Sequence, residues 1–289
     1  MKKLLKILSV LVILALLLAG VFFYSIYISV DRVSLNYTTL TSPKISADMN
    51  DIKIAMISDI KYNGFMGKDR LTKMINELND ANCDIVLFGG DMFDNPATKE
   101  PDSAVVKELT DILKSIQAPL GKFAVLGDQD QVNDDVKNIV SDILYQSNFE
   151  ILTNQAIRIR NHTKNSITLV GIDSLINGNP NPDSAFKTIS EDEYNIVLTH
   201  CPDLISSADF NSNYVDAMFA GHSLGGQIYL PVIGPLKTFD GARSYNHGLY
   251  TVNKTKLFVS NGLGTIDIDM RLFAPPEIMI FRLQNGNAA

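Results

Sequence analysis

Three apolar segments, each ending in an aspartate, constrain the fold of this chain more than any other feature of its sequence. They cover residues 51–59, 83–91 and 122–128, and each has the length and continuity of a buried β-strand. The stretches that follow them place apolar residues at helical spacing, and Asp102 stands where it would cap the second helix. A βαβαβα order predicts neighbouring parallel strands joined by right-handed crossovers, and hence an α/β fold.

The second half of the chain has short strand-like runs separated by turns. The predicted strands are residues 149–153, 166–173, 194–200, 214–221, 227–231, 249–252, 257–260 and 277–283. This pattern favours two sheets packed face to face, with helices covering the outside of at least the first half. No change of composition divides this region, so we expect one domain over residues 51–289.

The N-terminus carries an uncharged apolar run of 24 residues, Ile7–Val30, preceded by Lys2, Lys3 and Lys6. At about 1.5 Å per residue, an α-helix of this length crosses a hydrocarbon core of roughly 30 Å. The positive flank predicts a single-pass anchor over residues 1–30 with a cytoplasmic N-terminus, and a domain on the extracytoplasmic side of the cell membrane. The alternatives are a buried helix and a cleaved signal peptide, whose apolar core is usually about 7–15 residues. The polar residues 31–50 are expected to form a short stalk.

The charge of the chain argues against one class of partner. The chain has 25 Lys and Arg against 32 Asp and Glu, a formal net charge of −7, whereas nucleic-acid binding needs a basic face. We therefore expect no nucleic-acid partner.

The chain has two cysteines, Cys83 and Cys201, which are too few for a disulfide scaffold.

Side chains of metal-binding types stand at the ends of the predicted strands. Asp59, Asp91 and Asp128 end the three early strands, and His200 and His222 end two later ones. The carboxyl ends of parallel strands meet at one edge of a sheet, where sites are built. A single aspartate at such a place is typical of a turn cap, but three in succession with two histidines favour a site. Carboxylates with imidazoles suit Mn, Fe or Zn, whereas Mg and Ca prefer oxygen ligands alone.

The order of these residues resembles the calcineurin-like metallophosphoesterase family, in particular its membrane-anchored bacterial branch. The strings that carry the resemblance are Asp59, Gly90-Asp91-x-x-Asp94, Gly127-Asp-Gln-Asp130, His200 and Gly221-His-x-x-Gly-Gly226. The resemblance runs through the region after the predicted stalk almost to the end of the chain. It implies a four-layer α/β/β/α sandwich of two mixed sheets and a two-metal site that hydrolyses phosphomonoesters or phosphodiesters.

Three strings depart from the family pattern. The family's Asp-x-His is Asp59-Ile-Lys61 here, its Gly-Asn-His is Gly127-Asp-Gln129, and its Gly-His-x-His is Gly221-His-Ser-Leu224. One metal position, which keeps Asp59 and Asp91, thereby loses two imidazoles, and we expect it to hold no ion. The resemblance implies that the other position keeps four ligands, Asp91, Asp128, His200 and His222.

Charge balance then predicts one divalent cation rather than two. Asp59, Asp91 and Asp128 would bring three negative charges into one cleft, which is unfavourable without compensation. One divalent ion and the ammonium of Lys61 together supply three positive charges. The opposing interpretation is a decayed site in which Lys61 points to solvent.

Two functions remain open for such a site. A single metal can still activate water and polarise a phosphoryl oxygen, which predicts a phosphoester hydrolase. Its activity would be weakened, because Gln129 replaces the histidine that the family places next to the leaving group and cannot donate a proton. A non-catalytic protein that binds a phosphorylated ligand is the alternative. In either case the expected partner is a phosphorylated small molecule, lipid or envelope polymer.

A remote alternative is a serine esterase. Gly221-His-Ser-Leu-Gly225 matches the Gly-x-Ser-x-Gly nucleophile elbow, and Asp240 and His247 follow Ser223 in the expected order. An elbow must lead into a helix, whereas residues 225–235 contain two prolines and a strand-like apolar run.

Overall fold

The computed structural model describes residues 2–287 and confirms an α/β fold with two large mixed sheets. Met1, Ala288 and Ala289, which belong to the predicted anchor and domain, lie outside the described residues. The α-helices are α1 (Lys2–Tyr27), α2 (Lys68–Asp80), α3 (Ser103–Lys114), α4 (Asp134–Gln146) and α5 (Pro182–Phe186). The strands are β1 (Ser34–Ser42), β2 (Lys53–Ile57), β3 (Ile85–Phe88), β4 (Gly121–Ala124), β5 (Phe149–Ile151), β6 (Gln155–Ile159), β7 (Ile167–Gly171), β8 (Asn195–Thr199), β9 (Ala217–Ala220), β10 (Tyr229–Leu230), β11 (Gly234–Pro235), β12 (Gly248–Val252), β13 (Thr255–Val259) and β14 (Glu277–Asn285).

Each large sheet has six strands. The first has the order β1-β14-β2-β3-β4-β5, in which β2 to β5 run parallel, as the βαβαβα pattern predicts. The second has the order β12-β13-β9-β8-β7-β6, parallel from β13 to β7 with an antiparallel strand at each edge. The short hairpin β10–β11 belongs to neither sheet. The carboxyl ends of β2, β3 and β4 therefore meet at one edge, as do those of β8 and β9.

The apolar core forms three layers between four layers of secondary structure. Alternate residues of β2 serve two of them: Ala55 and Ile57 pack with the helices, and Ile54 and Met56 pack with the second sheet. The third apolar layer lies outside the second sheet, where α5 and a 3₁₀ turn at Pro202–Ser206 cover it. The outer layer of this sheet is thus thinner than that of the first, which carries α2, α3 and α4.

The helices begin and face the core as the sequence predicts. The inner stripe of α2, Leu71, Met74, Ile75 and Leu78, is buried. At α3, Asp102 accepts hydrogen bonds from the backbone N–H groups of residues 104 and 105, both at 2.9 Å, which satisfies two otherwise free donors of the first turn.

The predicted stalk is wrong, because much of residues 31–50 belongs to the first sheet. β1 pairs with β14 along its whole length, from Ser34 opposite Glu277 to Ser42 opposite Asn285. Leu40 and the following Ile45 and Met49 are buried in the layer between the sheets. An edge strand is covered on few of its positions, so its sequence lacks the apolar alternation that identifies inner strands. β6, one of the two edge strands of the second sheet, is also absent from the predicted strands.

Helix α1 projects from the domain. Most of its side chains are exposed, and it is long and apolar enough to cross a membrane. Its last turn contacts the domain, since the carbonyl of Ser25 accepts a hydrogen bond of 3.0 Å from the Arg271 N–H. Just beyond the helix, Asp31 pairs with Arg70 of α2 at 2.6 Å. The end of the helix is thereby in contact with the domain.

Candidate metal centre

Five strand-end side chains meet at one edge of the two sheets. Asp59, Asp91 and Asp128 follow β2, β3 and β4, and His200 and His222 follow β8 and β9. Asp59, Asp91 and His222 have positive φ angles of 50°, 63° and 68°, a region that costs a non-glycine residue about 1–3 kcal/mol. These tight turns bring the functional groups of both sheets together, as the strand-end pattern predicts.

Four of these residues place one ligand atom each within a small volume. Oδ1 of Asp128 lies 2.9 Å from Nε2 of His200 and 3.0 Å from Nδ1 of His222, and the two ring nitrogens lie 3.1 Å apart. Oδ2 of Asp91 lies 3.4 Å from Nε2 of His200. Atoms bound at about 2.1 Å to a first-row metal in tetrahedral or octahedral geometry are separated by about 3.0–3.4 Å. The spacing of this ligand group therefore fits a divalent transition-metal ion.

In each imidazole, the nitrogen that faces away from Asp128 makes a hydrogen bond that fixes the tautomer of the ring. Nδ1 of His200 donates to the carbonyl of Gly89 at 2.7 Å, and Nε2 of His222 donates to the carbonyl of Asp240 at 2.7 Å. A carbonyl oxygen can only accept, so both nitrogens carry hydrogen. In the neutral rings the lone pairs of the other two nitrogens then face Asp128, which is the arrangement of metal-ligating histidines held by backbone carbonyls.

The charged groups around the four ligand atoms favour a positive charge at their centre. Burial lowers the pKa of His200, but the carboxylates of Asp91 and Asp128 raise it well above its usual range. Burial raises the pKa of Asp128, but the two histidines lower it far below that of a free carboxyl. The group is thus stabilised by a cation at its centre, either a proton or a metal ion.

Lys61 lies inside the site rather than in solvent. It is buried, its ammonium pairs with Oδ2 of Asp91, and it lies 4.0 Å from Oδ1 of Asp59. Burial lowers the pKa of Lys61, but the charges of Asp91, Asp59 and Asp128 raise it above its usual value. Asp59 lies beside the ligand group, where its Oδ2 accepts a hydrogen bond of 2.8 Å from the backbone N–H of His222. Its buried Oδ1 has no hydrogen-bond donor among the described residues.

A cavity of about 550 Å³ opens onto the ligand group. Gln129 contributes to its wall, with its backbone N–H donating to Asp91 at 2.8 Å and its side-chain amide donating to Asp128 at 3.1 Å. Leu224 forms part of the wall beside His222. The volume accommodates a phosphate group together with part of the molecule that carries it.

Sequence comparison identifies the family of this chain. A family model described as calcineurin-like phosphoesterase matches residues 52–226, more than half of the chain. The chain belongs to the calcineurin-like phosphoesterase family. The match spans β2 to the turn after β9, and so includes all five strand-end residues. Divalent metals are the cofactors of this family, and the buried Asp and His group fits such a metal.

Three relatives extend the comparison over most of the chain. The metallophosphoesterase YkuE of Bacillus subtilis is 28% identical over 276 residues, covering 94% of this chain and 93% of the relative. The UDP-2,3-diacylglucosamine pyrophosphatase LpxG of Chlamydia muridarum is 25% identical over 295 residues, covering 83% and 86%. The transmembrane protein with metallophosphoesterase domain of Danio rerio is 23% identical over 246 residues, covering 81% and 54%.

Sequence reasoning did not assign a role to Asp130, although it lies in one of the family strings. Its fully buried carboxylate accepts three backbone N–H groups, from Asp91 at 2.8 Å, Met92 at 2.8 Å and Gly127 at 2.9 Å. Burial and the charge of Asp91 raise the pKa of Asp130 to about 6, while these hydrogen bonds lower it. Asp130 thus ties the loops that carry Asp91 and Asp128 to each other.

Arg271 is a second residue that the sequence analysis missed. Its guanidinium is fully buried and donates to the carbonyls of Leu224 at 2.7 Å and Ala274 at 3.0 Å, and to that of Gly264. Burial lowers the pKa of Arg271 to about 10, while Asp59 raises it, so the group stays charged at neutral pH. A lone arginine in a loop gives no local signal of burial, so only the structure locates it.

The structure does not form the triad of a serine esterase in the residues it describes. The Ser223 hydroxyl donates to the carbonyl of Ser260 and accepts from the Gly225 N–H, while the His247 ring bonds to Asn261. Ser223 is buried and is followed by a 3₁₀ turn of three residues instead of the helix of a nucleophile elbow.

Proposed function

We propose that this protein is a membrane-anchored, metal-dependent phosphoester hydrolase that works with one divalent cation. Asp91, Asp128, His200 and His222 would hold the ion, and Mn, Fe or Zn suits this mixed set of oxygen and nitrogen ligands. A divalent ion held there would supply the Lewis acidity that phosphoester hydrolysis needs. The observation that carries the proposal is the spacing of the four ligand atoms, together with the two imidazole tautomers that point lone pairs at a common centre.

Lys61 takes the place of a second cation in this proposal. Its ammonium reaches both Asp59 and Asp91 and also lines the cavity, where it can donate to a phosphoryl oxygen. An ammonium beside the ligand group would orient the phosphate and stabilise charge that develops on its oxygens.

The balance of buried charge supports a single divalent ion. The carboxylates of the ligand group and of the adjoining Asp59 are three, those of Asp59, Asp91 and Asp128, and the ammonium of Lys61 lies among them. One divalent ion brings the sum of three negative charges and one positive charge to zero, whereas a second ion would leave two excess positive charges in a poorly solvated site. Outside this group, the carboxylate of Asp130 accepts three backbone N–H donors, and Arg271 faces the buried Glu277 as well as Asp59.

The anchor and the relatives bear on the substrate class. Helix α1 would cross the cell membrane with Lys2, Lys3 and Lys6 on the cytoplasmic side, leaving the domain on the other face. LpxG is named for a lipid-linked nucleotide pyrophosphate, and the Danio rerio relative is named as a transmembrane protein. These names favour a phosphorylated lipid among the substrate classes, which also include small molecules and envelope polymers.

Metal content and hydrolysis test the proposal together. The full chain, purified in detergent, stripped with a chelator and dialysed against Mn²⁺, should retain about one equivalent of metal and hydrolyse bis(p-nitrophenyl) phosphate. His200→Ala should lose both properties, whereas His162→Ala, at an exposed histidine, should keep both. Two equivalents, or none, would contradict the single-ion site.

A non-catalytic binding protein is the second candidate, and Gln129 favours it. The amide of this residue bonds to Asp128 and has no proton to transfer at neutral pH. The combined variant Lys61→His, Asp128→Asn, Gln129→His and Leu224→His restores the family pattern. If this variant hydrolyses the aryl phosphodiester with Mn²⁺ and the parent binds one metal without turnover, the parent is a binding protein on an intact scaffold.

A further inference from the structure

The β10–β11 hairpin exposes apolar side chains at a turn where polar residues are expected. Residues 227–236 carry no charge, and the tip consists of Pro231, Val232 and Ile233. Val232 is fully exposed and Ile233 is 75% exposed. Val232 also has a φ of 73°, a region that suits Gly or Asn and costs a β-branched residue about 1–3 kcal/mol. Neither the fold nor the turn geometry explains why these residues are apolar.

Other exposed apolar side chains lie in segments next to the hairpin. Leu236 follows the hairpin, and Phe273 lies next to Leu272, whose backbone pairs with the base of the hairpin. Leu236 is 61% exposed and Phe273 is 59% exposed. Soluble proteins rarely expose apolar residues as a continuous group on their surface, and such groups mark contacts with other proteins or with membranes.

The base of this hairpin is held by the segment that also contacts helix α1. Tyr229 N–H donates to the carbonyl of Leu272 at 2.9 Å, and the neighbouring Arg271 N–H donates to the carbonyl of Ser25 at 3.0 Å. The last turns of α1 expose Phe23 and Tyr27, aromatic residues typical of a membrane interface. Leu272, which pairs with the hairpin base, is thus the next residue after Arg271, which contacts the last turn of the apolar helix.

We infer that the hairpin tip, residues 231–233, inserts into the lipid bilayer beside helix α1. Two observations favour lipid over a second copy of the chain. The segment that pairs with the hairpin base also contacts the end of the apolar helix, and the exposed apolar side chains of the hairpin are only a few, whereas a stable protein interface buries about 800 Å² and 20–30 residues on each partner. An uncharged apolar tip a few residues long matches the depth of about 5–10 Å at which interfacial segments lie.

Insertion would bring the mouth of the cavity to the lipid head groups. At the start of the hairpin, the Gln227 amide donates to the carbonyl of Ile266 at 3.1 Å, and after it Lys237 pairs with Asp267 at 2.5 Å. Ile266 and Asp267 both line the cavity. A phosphate in a lipid head group would therefore be the substrate within reach, a step that rests on the proposed function.

Depth-dependent quenching tests the insertion without using activity. The full-length Val232→Cys variant, labelled with an environment-sensitive fluorophore, would be reconstituted into phosphatidylcholine and phosphatidylglycerol vesicles that contain nitroxide on the acyl chains. The matched control is Tyr145→Cys, an exposed position on α4, and the unsubstituted chain reports any labelling of its two buried cysteines. The acyl-chain nitroxide should quench the label at 232 at least about twofold more than the label at 145.

Equal quenching at positions 232 and 145 would overturn the inference. So would a label at 232 that is shielded from aqueous iodide but not quenched by the lipid nitroxide, because that result assigns the surface to a protein partner. Ile233→Cys provides a second position on the tip, and it should behave as Val232→Cys does. Because the readout is position and not hydrolysis, failure of the proposed metal chemistry would leave this result unaffected.

Discussion

Replacement of Asp130 by asparagine should destabilise both the fold and the metal centre. Oδ2 of Asp130 accepts the N–H groups of Asp91 and Gly127, and Oδ1 accepts that of Met92. Asparagine has the same shape but offers one acceptor oxygen and two donor hydrogens. If its oxygen replaces Oδ2, its NH₂ group faces the Met92 N–H, and two buried donors are left without an acceptor.

The expected magnitude follows from these contacts. Loss of one charge-assisted hydrogen bond costs about 1.5–3 kcal/mol, and an unsatisfied buried donor costs about 1–3 kcal/mol. Removal of a negative charge beside Asp91 offsets part of this, since the repulsion between Asp91 and Asp130 is relieved. We therefore expect Asp130→Asn to lower the free energy of unfolding by about 2–4 kcal/mol.

Urea unfolding of the full chain in detergent micelles, followed by circular dichroism, measures this effect. The control is Asp209→Asn, the same substitution at an exposed aspartate, which should change the unfolding free energy by less than about 0.5 kcal/mol. Metal content, measured on both variants, should fall for Asp130→Asn and stay unchanged for Asp209→Asn. Equal unfolding free energies and equal metal content for the two variants would refute the role assigned to Asp130.

Two further predictions concern close packing and thiol chemistry. Gly90 has a φ of 92°, and a Cβ atom there would lie 2.4 Å from the backbone nitrogen of Gly127, so Gly90→Ala should cost more than about 2 kcal/mol and reduce metal content. The control is Gly67→Ala, where the Cβ would meet open space, and its free energy of unfolding should stay within about 1 kcal/mol of that of the parent in the same urea titration. Equal losses of unfolding free energy for the two variants would contradict the close contact at Gly90. Burial raises the pKa of Cys83 to about 11, so its thiolate fraction at pH 8 is on the order of 10⁻³, and the folded chain should react with a disulfide reagent far more slowly than the urea-unfolded chain. Reaction should accelerate as the pH rises towards 11, and rapid labelling of the folded chain at pH 8 would show that Cys83 is accessible.

Local pattern was sufficient to predict the inner strands and the helices that cover the first sheet. β2, β3 and β4 are buried on both faces and therefore read as continuous apolar runs, and α2 has a clear inner stripe. The edge strands β1 and β6 escaped prediction, because their exposed positions carry polar residues that hide the apolar alternation, and β1 in addition depends on a partner strand distant in the sequence. β1, for example, pairs with residues more than 230 positions away.

The sequence by itself determined which side chains stand at strand ends, because each ligand immediately follows an apolar run that predicts a strand. It also indicated the family, since carboxylates and imidazoles in that order resemble one family. Only the tertiary structure decided that Lys61 turns inward to Asp91, and that Asp130 and Arg271 are buried next to the ligand group. The physical reason is that burial and hydrogen bonding of a charged side chain depend on loops from both sheets, which meet only after the chain has folded.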